Sequence, residues 1–204
     1  MNTGTDTAIL RDLANRYMDV CNRDDQPGLR QAWRKHHGLK GERILIHTRA
    51  FAWHELPENR CECADPFMQG LERFFRKELT RSTFGDDTLF EPWVTVQAAR
   101  VTPPEGVWGL ASPRTHSETS RGSFVWDAPL KEEADLARLH DPHHVIDEDE
   151  TARRVDKLRT AIGDMITIDV DRAPTYRMWN GDISTQLAYL RGLEQMMWDM
   201  MDRP

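Results

Sequence analysis

The chain has 204 residues, 39% of them hydrophobic and 30% charged, a balance that fits one folded domain and excludes a disordered tail or two full-sized domains. Its formal charge of −7 argues against a general nucleic-acid surface, because phosphate backbones demand clustered Lys and Arg. No apolar run approaches the ~20 residues of a membrane span, and the opening Met-Asn-Thr-Gly-Thr-Asp has no basic-then-apolar secretory pattern, so a cytoplasmic protein is expected.

Leu10, Leu13, Ala14, Tyr17 and Cys21 recur at helical spacing and predict a first helix over about 7–22. A second, richly basic helix is expected over about 28–37, completing a leading helical segment at 1–40. Ile44-Leu45-Ile46 is short, β-branched and preceded by Gly41, so it reads as a buried strand. Cys61 and Cys63 lie too close in sequence for an easy disulfide, and with Cys21 they are expected to stay reduced. Asp65-Pro66 supplies an N-cap followed by proline at the first helical position, and Phe67, Leu71, Phe74, Phe75 and Leu79 line the helix it opens. Thr88 to Glu91 is a second candidate strand, closed by Pro92.

From Val94 to Trp126 there is no helical period. Pro103-Pro104, Gly106, Gly109, Pro113 and Gly122 break short apolar runs, predicting strands or a hairpin inserted at about 94–128. Helices return at about 131–139 and 147–162, and Met165-Ile166-Thr167-Ile168 makes a third buried strand. The last helix, 183–201, carries Leu187, Leu190, Leu193, Met196, Met197, Trp198, Met200 and Met201 on more than one face. Such a helix expects neighbours on several sides, as in the first part of a larger architecture.

Short apolar strands alternating with amphipathic helices predict an α/β fold of parallel βαβ units. An open doubly wound sheet is the rival, but no strand–helix turn carries a Gly-x-Gly-x-x-Gly phosphate loop. The expected fold is therefore the N-terminal part of a (β/α)8 barrel at 41–204, behind leading helices and with a β-hairpin-like insertion.

In parallel α/β proteins, sites collect at the carboxyl ends of strands. Arg49, directly after the first predicted strand, can bind a carboxylate or phosphate through two parallel hydrogen bonds, or can pair with Asp169 or Asp171 to join strand ends. His54-Glu55 reads as an acid/base pair or as surface polarity. Trp53, Tyr176 and Trp179 would make an aromatic wall for a flat ligand, or ordinary core. Asp169 and Asp171 can perturb one another's ionisation if the strand continues, and Asp87 and Glu91 flank the second strand. His140, Asp141, His143, His144 and Asp147 cluster around Pro142, a loop without helical spacing to aim two imidazoles at a metal, so no metal ligand is assigned.

Three segments resemble the uroporphyrinogen decarboxylase superfamily, which includes the decarboxylases of haem biosynthesis and the corrinoid-dependent methyltransferases. Leu45-Ile-His-Thr-Arg49 looks like the family's first strand, and Asp87-Thr-Leu-Phe-Glu-Pro92 is similar to its Asp-x4-Pro segment. Ala188-Tyr189-Leu190-Arg191-Gly192-Leu193-Glu194 resembles the tail of the fourth family helix, with Tyr189 matching the family tyrosine after a one-residue shift. The resemblance implies a (β/α)8 barrel in which Arg49 holds substrate carboxylates and Asp87 binds pyrrole nitrogens. It implies substrate contacts from Arg49, Trp53, His54, Asp171, Tyr176, Trp179 and Tyr189.

Arg49-Ala-Phe-Ala-Trp53 lacks the family's second arginine, so a substrate with four acetate arms is not expected. The methyltransferase-like branch is the preferred expectation, a tetrapyrrole decarboxylase the first alternative, and a non-catalytic chain bound by a partner the second. The implied zinc ligands would lie beyond residue 204, leaving no cofactor in this chain; zinc and a corrinoid belong to the full-length reading. Expected partners are a small-molecule or corrinoid-protein substrate, and a second copy or complementing chain, but neither nucleic acid nor membrane.

Overall fold

In a computed structural model that describes residues 3–50, 52–101, 103–118, 123–141, 145–172 and 183–202, helix α1 (Thr3–Cys21) buries the stripe its spacing defines. Leu10, Leu13, Ala14, Tyr17 and Val20 are all within the core. Helix α2 (Gln26–His37) comes after a short turn, and α3 (Pro66–Arg81) packs on α1. The Asp65 carboxylate caps α3 by accepting the Phe67 and Met68 N–H groups at 3.1 and 3.0 Å, as the Asp-Pro signature requires. Tyr17 joins the two helices, its ring 5.7 Å from Phe74 and 5.5 Å from Phe75, while its hydroxyl donates to the Glu91 carbonyl.

The chain forms two compact units, the first comprising Met1–Val96 with Ala152–Val170, the second Gln97–Thr151 with Asp171–Pro204. Helices α1, α2 and α3 share the first unit. Its remaining elements are strand β1 (Trp93–Gln97), most of helix α4 (Glu148–Ile162) and strand β6 (Thr167–Asp171). Strands β1 and β6 pair, and the Ala98 N–H donates to the Asp171 carbonyl at 3.0 Å, so the two strands finish side by side. Val94 and Val96 on β1 meet Leu158, Ala161 and Ile162 of α4 in the core with Phe75 and Phe90.

The second unit is built from two short antiparallel pairs. Strands β3 (Arg114–His116) and β4 (Phe124–Trp126) form the hairpin expected in the insertion, and β2 (Arg100–Val101) pairs with β5 (Val145–Ile146). Leu110, Leu130 and Leu190 make a small core with Trp108 and Leu139. Helices α5 (Ile183–Arg191) and α6 (Leu193–Asp202) close the chain. The fold is mixed helix and sheet, and among the described residues its strands form three two-stranded sheets without a closed barrel.

Several expected elements differ. Ile44-Leu45-Ile46 is not a buried strand: Ile44 and Ile46 are 85% and 62% exposed. Its backbone bonds to side chains instead of a strand, with Ile46 N–H on the Asp87 carboxylate and Thr48 N–H on Asp86. Thr88–Glu91 is not a strand either, because the buried Gln26 side chain takes the Phe90 N–H and Asp86 takes that of Thr88; regular pairing starts only at Trp93, after Pro92. The last helix is broken at Gly192, whose φ of 86° no helical residue can hold and which separates α5 from α6. The segment at 131–139 forms a 3-10 turn, Glu133–Arg138, with a reciprocal cap between Glu132 and Asp135.

Candidate functional site

Residues 42–50 run extended on the surface, and two adjacent aspartates fix their course. The Asp87 carboxylate accepts from the Arg43 guanidinium at 2.9 Å and from Ile46 N–H at 2.9 Å, while Asp87 N–H donates to the Ile46 carbonyl at 2.8 Å. Asp86 accepts Thr48 N–H at 2.6 Å, and the Thr88 hydroxyl lies 3.1 Å from His47 Nδ1. The Trp33 indole of α2 donates to the Asp87 carbonyl at 2.7 Å, closing the latch from the other side. The Arg43 guanidinium, then the Ile46 N–H, hold the Asp87 carboxyl down at about 2, so at neutral pH it is an anion whose lone pairs are already engaged.

The latched segment delivers Arg49, exposed, and leads into a 3-10 turn at Trp53–Glu55. Buried Asn59 ties that turn to α3: its amide donates to the Trp53 carbonyl at 3.0 Å and its oxygen accepts the Thr80 hydroxyl at 3.2 Å. The half-buried Trp53 ring stacks on Phe84 at 5.9 Å with 11° between the planes. Two cations of α3 approach the same ring, Lys77 Nζ at 5.7 Å from its centroid and Arg81 Cζ at 5.5 Å. Arg81 is buried and donates to both oxygens of Glu78 at 2.9 Å through one terminal nitrogen. Burial lowers the Lys77 ammonium; Glu78 opposes that, and Arg81 and Arg49 add to it. Lys77 thus lies over the Trp53 ring and within the electrostatic reach of Arg49.

The remaining candidates lie elsewhere. Asp171 ends β6 and belongs to the second unit, as does Tyr189 on α5. Tyr189 packs against Trp126 with ring centroids 4.3 Å apart, and Arg114 reaches over both Tyr189 and Phe124, at 5.7 and 5.2 Å. That contact holds the β3–β4 hairpin on α5. Tyr176 and Trp179 lie outside the described residues, as does the side chain of His54. Sequence reading missed Lys77, Arg81 and Phe84. The signal was present, since Lys77 and Arg81 are one helical turn apart, but this spacing also describes any solvated helix face.

Metal chemistry finds no donor set: among the described residues no three His, Cys, Asp or Glu side chains gather to hold an ion. The cysteines are free. Burial pushes the Cys63 thiol up to about 12, aided by Glu72, and raises Cys21 to about 11 and Cys61 in the same direction, as in structural core thiols. Zinc therefore does not fit the described residues. His140 bonds the Asp141 carbonyl through Nδ1, and His143 and His144 lie outside the described residues. No described helix is long and apolar enough to cross a membrane. No known protein family, no curated protein and no solved structure matches the chain.

Proposed function

We propose that the chain is a domain of the uroporphyrinogen decarboxylase superfamily, from its corrinoid-dependent methyltransferase-like branch, and that its elements form the leading part of a (β/α)8 barrel. The observation that carries this reading is the cationic and aromatic group in which Lys77 lies over the Trp53 ring and within the electrostatic reach of Arg49, where the resemblance puts a carboxylate-holding arginine. The β1–α4–β6 arrangement, two paired strands with a helix between them in sequence, supports the barrel part. In this reading Arg49 binds a substrate carboxylate and Trp53 presents a flat apolar face, so that the two orient a tetrapyrrole-like or corrinoid-linked substrate. No step is assigned to zinc. A cytoplasmic location goes with such substrates.

Decarboxylation is the weaker branch because it asks the Asp87 carboxylate to meet a protonated pyrrole, and Arg43 already occupies it. Spectral titration of the protein with a methylated corrinoid and with uroporphyrinogen tests the choice. Saturable binding of the corrinoid, weakened about tenfold in Arg49→Gln as one charge-assisted contact warrants, is the expected result. Binding of uroporphyrinogen alone would favour decarboxylation, and binding of neither rejects both.

A second reading, a chain completed by a partner, is favoured by the exposed Leu193, Met197, Trp198, Met200 and Met201 of α6. Sedimentation at micromolar concentration tests it, and a monomer with no tendency to associate counts against it.

A further inference from the structure

The last two turns of α3 put Lys77 and Arg81 on one face of the helix, against Trp53. Glu78 pairs with Arg81 and also acts on Lys77. Among the described residues no salt bridge joins Lys77 to a carboxylate, although its ammonium is half-buried. Arg81 is 8% exposed, and its Nε is buried with no hydrogen-bond partner. A guanidinium grips an oxyanion through a pair of parallel N–H groups, and here one member of that fork, the Nε, is shut off from solvent and unsatisfied. Attraction of cations to the carbonyl end of α3 and to the indole face explains why they gather here. Neither effect satisfies a buried N–H.

We infer that Lys77 and Arg81, beside Trp53 and Phe84 with Arg49 at the approach, form a binding site for an oxyanion group, a carboxylate or phosphate, borne on a flat apolar body. The anion accepts from Lys77 Nζ and lies against the Arg81 charge; the stacked Trp53–Phe84 pair covers the body that carries it. The inference rests on the proposed superfamily function in placing the ligand at Trp53, and it adds the groups that hold its acid end.

Benzoate and inorganic phosphate are the probes, titrated into the full chain at low ionic strength with the Trp53 indole N–H followed by NMR. Benzoate is expected to shift that resonance saturably, and Lys77→Met, which keeps the apolar stem, to weaken it about tenfold, the effect of one charged hydrogen bond. Lys40→Met, exposed and remote in sequence, serves as the control and leaves affinity unchanged. Tighter binding of benzoate assigns a carboxylate ligand, and tighter binding of phosphate a phosphoryl one. Absence of saturable binding by either probe, or full affinity in a folded Lys77→Met protein, overturns the site. If benzoate binds through Lys77 while neither corrinoid nor uroporphyrinogen binds, the anion site stands and the superfamily reading falls. If the tetrapyrrole or corrinoid binds equally well to Lys77→Met, the superfamily reading stands and the anion site falls.

Discussion

The first unit and the second solve the same problem with different materials. In the first, sixteen buried apolar residues from α1, α3, β1, α4 and the intervening loops form one continuous cluster, with Tyr17, Phe74, Phe75 and Phe90 in ring contact. Among the described residues the second has a cluster of three, Leu110, Leu130 and Leu190, buried at its centre, while Phe124, Val125, Leu136, Leu187 and most of the apolar side chains of α6 face solvent. The first unit also fixes its loops with buried polar side chains. Glu72 accepts Glu62 N–H, Cys63 N–H and Arg76 Nε, Asp6 accepts the N–H groups of Ala64 and Asp65, and Gln26 accepts that of Phe90. The second unit has long-range side-chain ties as well, with Thr151 accepting the Ala99 N–H and Arg191 donating to the Leu130 and Lys131 carbonyls, so what separates the two is chiefly the size of the apolar cluster. Local stability should track that difference.

The largest effect expected from it is at Phe75, which is fully buried between Tyr17 and Phe74. Phe75→Ala should cost about 3–5 kcal/mol, against about 2 kcal/mol for Leu190→Ala in the smaller core. Urea unfolding combined with amide exchange would measure both, and equal costs would break the contrast between the units.

Much of the first unit was legible in its sequence because the decisive signals are local. Asp65-Pro66 followed by Phe67, Leu71, Phe74 and Phe75 contains the cap, the start and the buried face of α3 within a few turns. The hairpin signal at 94–128 was also local, since prolines and glycines forbid a helix there. Ile44–Ile46 failed because its apolar composition matches a strand while its hydrogen-bond partners, Asp86 and Asp87, are distant in sequence. Gly192 failed for the opposite reason: apolar residues keep helical spacing on both sides of it, and only its positive φ and the Arg191 contacts to Leu130, Lys131 and Asp199 reveal the break. Of the group proposed around Trp53, Arg49 and Trp53 are picked by position alone. Lys77 and Arg81 are not, because nothing in a helix's own sequence says that an indole from another segment covers that face.

Next in size is Glu72. Replacing it with alanine removes the acceptor for two backbone N–H groups and one of the two carboxylates that pair with Arg76, which keeps Glu62, at a cost of about 3 kcal/mol. Burial alone would raise this carboxyl, but the Cys63 and Glu62 N–H groups and then Arg76 hold it below the ordinary value. A depressed folded-state value stabilises above the unfolded carboxylate range and is lost as pH falls through it. Acid titration of the wild type should therefore unfold the first unit along a limb that Glu72→Gln flattens. An identical acid limb in that variant would assign the sensitivity to other carboxylates.

A smaller effect belongs to the 42–48 latch. Asp87→Asn should cost about 1 kcal/mol, because Arg43 is half-exposed and solvent screens its pairing. The sign is again that of a depressed carboxyl: the contribution is complete above the unfolded value near about 3.9 and disappears as pH falls through about 2. Exchange of the Ile46 and Thr48 amides should accelerate over that window, before the α1–α3 core opens. If those amides exchange only together with the core, the segment is not a separate latch.

The smallest perturbation, and the finest test of the contrast, uses the thiols. Cys21 and Cys63 lie in the first unit's core, and burial pushes their thiols up to about 11 and about 12, so near pH 8 each holds a negligible thiolate fraction. Cys61 is half-buried, and burial followed by Glu72 raises it as well. A disulfide reagent at pH 8 should thus modify Cys61 slowly and the other two only through opening of the core. Phe75→Ala should speed the labelling of Cys21 and Cys63, while Leu190→Ala leaves it unchanged, because the cavity it makes belongs to the other cluster. Acceleration by Leu190→Ala of the same size would mean that the two cores open as one cooperative body, and the difference in their packing would then carry no difference in local stability.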